Sequence, residues 1–165
     1  AKGEGVRIQL EDGDYDPSST NPNDYIIHES HLFKLINELK IAGAEGIAVN
    51  GQRLHANSYI VCNGPVITID GKQYPAPFIV EAVGNKNTLV QAIEITGGVV
   101  DQLLNDKIKL TIEKRDHIAL KSISGDAQDY EEDMIDEKEI RKFNNRIFHH
   151  WIYVICTIQY SAKSN

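Results

Sequence analysis

The stretch Gly43-Ala44-Glu45-Gly46-Ile47-Ala48-Val49-Asn50-Gly51-Gln52-Arg53-Leu54 constrains this chain more than any other. It predicts the end of a helix, then a strand, then a reversal of that strand. Upstream, Leu32, Leu35, Ile36 and Leu39 recur at i, i+3, i+4 and i+7, which is one apolar helical face. Ser30 is the expected N-cap, and Lys40 places a cation in the last turn, where the helix dipole favours one. Gly43 supplies a left-handed residue to close the helix. Ile47 and Val49 then flank small Ala48 as in a buried strand. Asn50-Gly51 is a strong turn signal, because both central residues of a type I′ turn need positive φ.

The rest of the chain reads in the same terms. Val6, Ile8 and Leu10 alternate with Arg7 and Gln9 as a first strand. A polar loop from Glu11 to Asp24 follows, expected to be exposed and mobile. Tyr25 to Ile27 is expected to be extended. The strand-helix-strand order predicts a crossover that pairs the first strand in parallel with Ile47–Val49. Val66–Ile69, Asp70-Gly71 and Lys72–Tyr74 read as a β-hairpin, and Phe78–Val83 as a further strand. Asn87 or Thr88 can cap a second helix, which Gly97-Gly98 interrupts. Ile108, Leu110 and Ile112 alternate with polar residues as a half-buried last strand. The predicted fold is α+β: a ferredoxin-like β-α-β…β-α-β sandwich with an inserted β-hairpin, plus a C-terminal extension. Residues 1–125 form the expected domain, and 126–165 an acidic linker with an apolar end. Within 126–139 eight acids stand against Lys138 alone. The close from Phe143 to Ile158 is strongly apolar and is expected to be buried, on the domain or against a second copy.

Composition narrows the function. A net charge of -7 argues against nucleic acid or an anionic lipid surface as the main partner. No run of about 18 apolar residues is present. The chain begins Ala1-Lys2-Gly3 without Met and is expected to be a fragment. Cys62 and Cys156 are expected to be two buried thiols rather than a disulfide framework.

Candidate chemistry is sparse. Asp12, Asp14 and Asp16 imitate the start of a calcium loop, but Pro17 and Asn23 stand where that loop needs Gly and Glu. His28 and His31 have i, i+3 spacing, yet the six histidines form no closed metal motif. No metal or other cofactor is expected. Glu45 and Glu81 could face each other as a carboxylate pair, although carboxylates at strand ends are common. The polar set most open to ligand binding is Asn50, Gln52 and Arg53. Arg53 could hold a carboxylate through a bidentate fork, or could be an ion-pair partner, with Glu45 as a candidate. Asn50 could serve the turn alone.

Gly43-Ala44-Glu45, Ile47 and Asn50-Gly51-Gln52-Arg53 resemble the signature of the bacterial "domain of unknown function 881" family. Cys62-Asn63-Gly64, Val66 to Gly71 and Pro77 to Gly84 are similar to that family's later segments, in the same order. The resemblance covers roughly Gly5 to Leu120 and does not reach the tail. It implies a membrane-anchored protein of Gram-positive bacteria, with an anchor and a coiled coil ahead of this domain and links to division or sporulation. The expected function is a non-enzymatic, extracytoplasmic protein-interaction module at the cell membrane. Its partners would be envelope proteins, with self-association through the tail as a further option. The alternative is a small-ligand-binding or sensory domain using Arg53 and the neighbouring hairpin.

Overall fold

A computed structural model describes residues 1–14, 17–18 and 21–122. The boundary at 125/126, the acidic stretch, the apolar tail and Cys156 lie outside the described residues. Among the described residues Cys62 is a free thiol, half-buried rather than buried as expected.

Strand β1 (Lys2–Glu11) leads through a 3-10 turn (Pro22–Tyr25) into helix α1 (Glu29–Ile41). Strands β2 (Gly46–Val49) and β3 (Gln52–Arg53) form the tight hairpin at Asn50-Gly51. Strands β4 (Ile60–Asn63), β5 (Val66–Ile69) and β6 (Lys72–Pro75) form a separate antiparallel sheet, so the expected hairpin carries a third strand. Strand β7 (Phe78–Val83), helices α2 (Lys86–Ile93) and α3 (Val99–Asn105), and strand β8 (Lys109–Ala119) complete the described fold. It is α+β, with two antiparallel sheets and three helices.

The main sheet has the order β3-β2-β7-β1-β8. The expected parallel pairing of β1 with Ile47–Val49 is therefore corrected. The two strands run in the same direction, but β7 lies between them and pairs antiparallel with both. Most of β7 is buried, and a central place uses both its hydrogen-bonding edges.

Register decides which side chains share a face. Val49, Val80, Ile8 and Ile112 line up across four strands, and the next row joins Ile47, Ala82 and Val6. This side carries the core, with Leu32, Leu35, Ile36 and Leu39 of α1, Leu89, Val90 and Ile93 of α2, and Val99 and Leu103 of α3. Ile60, Ile67 and Ile69 of the smaller sheet join the same cluster. The other face carries the row Arg53, Ala48, Glu81, Arg7 and Glu113, charged at every position but Ala48. A small second cluster of Ala48, Val83, Ile118 and Leu120 lies there.

The helix starts differ from expectation. His28, not Ser30, is the N-cap of α1, and its backbone N–H donates to Nδ1 of His31 at 2.9 Å. Asn85, not Asn87 or Thr88, caps α2, its side-chain oxygen accepting from Thr88 N–H at 2.9 Å. Of the expected extended stretch Tyr25–Ile27, Tyr25 ends the 3-10 turn and the extended backbone starts at Ile26. The Glu11–Asp24 loop is held at several points: Asp12 accepts the Ile27 N–H at 2.9 Å, Gly13 N–H donates to Tyr25 at 2.7 Å, and Asp14 pairs with Lys109 at 2.5 Å.

Candidate functional site

The end of α1 and the β2-β3 hairpin bring one cation into an unusual setting. Arg53 leaves β3 opposite Ala48, on the face away from the core. Its guanidinium lies against Gly46. A β-carbon at Gly46 would stand 2.0 Å from Nη1 and 2.4 Å from Cζ, so only glycine leaves the guanidinium this seat. Nε and Nη1 are buried and have no hydrogen-bond acceptor among the described residues. Nη2 reaches the Glu45 backbone oxygen at 3.5 Å, the limit of a hydrogen bond. Among the described residues Arg53 makes no ion pair with Glu45 or any other carboxylate. Buried polar groups in folded proteins are almost always paired, and buried charges more strictly still.

Beside Arg53 is a pocket of about 190 Å³ lined by Lys40, Ala44, Glu45, Gly46, Ile47, Arg53, Leu54, His55 and Ala56. Lys40 comes from the last turn of α1, and Gly43 at φ 93° turns the chain toward β2. His55 is fixed from the other side. Its Nε2 lies 3.7 Å from Asp70, whose carboxylate also accepts from Ser58 Oγ at 2.8 Å and from Tyr59 N–H at 3.0 Å. Ser58 Oγ in turn accepts the His55 N–H at 3.0 Å. The turn residue Asp70, at φ 47°, thereby ties the β5-β6 hairpin to this wall.

The other two residues of the expected polar set sit differently. Asn50 serves the scaffold. Its N–H donates to Ile79 O at 2.8 Å and its side-chain oxygen accepts the Ile79 N–H at 2.7 Å, extending the β2-β7 ladder past the strand end. Gln52 accepts from Lys72 Nζ at 3.4 Å on an exposed surface. Glu45 and Glu81 are not brought together: Glu45 lines the pocket, whereas Glu81 lies 3.7 Å from Arg7 on the sheet. Lys40, Gly46, His55 and Asp70 were not singled out as binding residues, and only their approach in three dimensions marks them.

The histidine pair at the start of α1 is also committed internally. His31 is 6% exposed; its Nδ1 accepts the His28 amide and its Nε2 lies 3.1 Å from Asp106. Burial pushes the His31 pKa below 6.5, against the opposing pull of Asp106. Both ring nitrogens are engaged, so a metal there would have to displace existing bonds.

Comparison with known proteins gives one family: that described as "Bacterial protein of unknown function (DUF881)" matches residues 1–131. The chain is 52% identical over 122 residues to the UPF0749 protein YlxW of Bacillus subtilis, covering 74% of this chain and 53% of that relative. It is 28% identical over 122 residues to the UPF0749 protein Rv1825 of Mycobacterium tuberculosis, covering 72% of this chain and 38% of that relative. The chain thus spans about half or less of the length of these relatives. Among solved structures, the crystal structure of an uncharacterized conserved protein from Mycobacterium tuberculosis is similar, with a TM-score of 0.61 and 26% identity over 74% of this chain and 83% of that one.

Proposed function

The chain belongs to the DUF881 family of bacterial proteins of unknown function, and we propose that within it this domain is a non-enzymatic protein-interaction module. It would face the extracytoplasmic side of a membrane-anchored envelope protein with a role linked to division or sporulation. One observation carries the binding part of this reading: Arg53 has buried N–H donors that no acceptor among the described residues meets. An arginine stays protonated at any ordinary pH, so it recognises anions and does not shuttle protons. Such a group suits recognition better than acid-base chemistry.

The anchoring part rests on the family. The relatives are about twice as long as the matched stretch or longer, which leaves room in them for an anchor and a coiled coil outside it. Among the described residues no helix is long and apolar enough to cross a membrane. The main-sheet order β8-β1-β7-β2, with α1 between β1 and β2 and with α2 and α3 between β7 and β8, supports a ferredoxin-like reading in which β3 to β6 are the insertion.

A second reading, a small-ligand-binding or sensory domain, is favoured by the pocket next to Arg53 and by the hairpin that Asp70 ties to it. Crosslinking and affinity capture from membranes, with the full-length protein and its Arg53→Gln form, tests the leading reading. The expected result is an envelope protein captured by the parent and lost with the variant. Capture of the same proteins by both forms would place recognition elsewhere.

A further inference from the structure

We propose that the Arg53 pocket is a carboxylate-binding site, taking a single carboxylate from a small organic acid or from a peptide. The inference rests on the reading of Arg53 as a recognition residue and goes beyond it by naming the chemistry recognised.

Three observations converge. First, Nε and Nη1 of half-buried Arg53 have no acceptor among the described residues, so two of its N–H donor groups are unspent. An anion placed against the guanidinium supplies charge-assisted bonds, the strongest kind available to it. Second, the seat is built. Gly46 leaves the space in which the guanidinium lies, and Asp70, Ser58 and the His55 backbone brace the opposite wall. Third, the charge around the cavity selects the ligand. Two cations, Lys40 and Arg53, line the cavity together with one carboxylate, Glu45. A carboxylate carries one negative charge and meets less repulsion from Glu45 than a phosphate dianion does. A cavity of about 190 Å³ accommodates a carboxylate with a few attached carbons, or the end of a peptide.

The test is a titration of the 165-residue chain, followed through the side-chain Nε–H signal of Arg53 in nitrogen-15 NMR spectra. The probes are propionate, propionamide, inorganic phosphate, and an N-acetylated dipeptide with a free or an amidated C-terminus. Propionate should shift the Arg53 signal saturably at concentrations up to about 10 mM, and propionamide should not. Phosphate should bind more weakly than propionate. A free-acid dipeptide that binds about tenfold tighter than propionate, with a silent amide, assigns the carboxylate to a peptide terminus; equal binding assigns it to small acids. Arg53→Gln should weaken propionate binding by about 10–100-fold. Gly46→Ala keeps the guanidinium but takes its seat, and should weaken binding while the rest of the spectrum stays folded. No saturable shift with propionate, equal shifts with propionamide, or tighter binding of phosphate would overturn the proposal. If carboxylates fail while partner capture still depends on Arg53, the ligand class is wrong and the recognition role stands.

Discussion

The guanidinium of Arg53 occupies the place where residue 46 would carry a β-carbon, so Gly46 and Arg53 act as seat and occupant. The pair lies on neighbouring strands of a two-residue hairpin, and the Asn50-Gly51 turn sets their distance.

The helical face of α1 should dominate stability. Leu39 is fully buried in the main cluster, so Leu39→Ala should cost about 2–5 kcal/mol through lost burial plus a cavity. Urea unfolding followed by circular dichroism checks this. A loss under about 0.5 kcal/mol would contradict the packing described.

The two hairpin turns should resist β-branched residues. Gly51 and Gly71 have φ of 76° and 81°, each preceded by a residue near 48°, as a type I′ turn requires. Gly71→Val forces a branched side chain into the left-handed region and should lower stability by about 1–2 kcal/mol or more. Gly71→Asn, which tolerates that region, should cost clearly less in the same melt.

Asn50 should be a stability residue rather than a binding one. Asn50→Gly preserves the turn but removes the acceptor for Ile79 N–H, and should cost about 1 kcal/mol. Amide hydrogen exchange at Ile79 should accelerate in the variant while the Arg53 side-chain signal keeps its position. Unchanged exchange would show that the side-chain bond does not hold the strand.

Stability should fall as the solution is acidified through the histidine range. Burial disfavours the charged form of His31 in the folded protein, and its Nδ1 accepts the His28 amide. Its folded pKa lies below 6.5, so between that value and 6.5 the unfolded chain binds a proton that the folded chain does not. This contribution is therefore complete above about pH 6.5 and is lost as pH drops toward the folded value. Urea midpoints measured between about pH 5 and pH 8 should show the decline, and His31→Gln should flatten it. A slope unaffected by His31→Gln would assign the effect to other groups.

Features that depend on nearby residues were legible before the fold was known. The apolar stripe of α1, the two glycine turns, the break at Gly97-Gly98 and the alternation in β8 all follow from local period or local φ. Features set by distant approach were not. Ser30 resembles a better cap than His28, but the chain enters α1 from a turn tied down by Asp12, and His31 closes the cap instead. The insertion of β7 between β1 and β2 could not be read from either strand, since both suit parallel or antiparallel neighbours. Of the candidate site, Arg53 was visible as a residue type. Its seat on Gly46, and the walls from Lys40 and from His55 with Asp70 behind it, depend on how the hairpin meets the end of α1.

The central position of β7 also orders events during synthesis. Residues 1–77 leave the ribosome before β7, and of the main sheet only the β2-β3 hairpin can then form. β1 has neither of its neighbours, since one is β7 and the other is β8. Its apolar side chains must wait, exposed or shielded by a chaperone, until most of the domain has been translated. Because these pairings join residues far apart in sequence, slow folding is expected once the chain is complete. A nascent chain stalled before Phe78 should remain protease-sensitive, and one extended past Leu120 and clear of the exit tunnel should become protected in a single step.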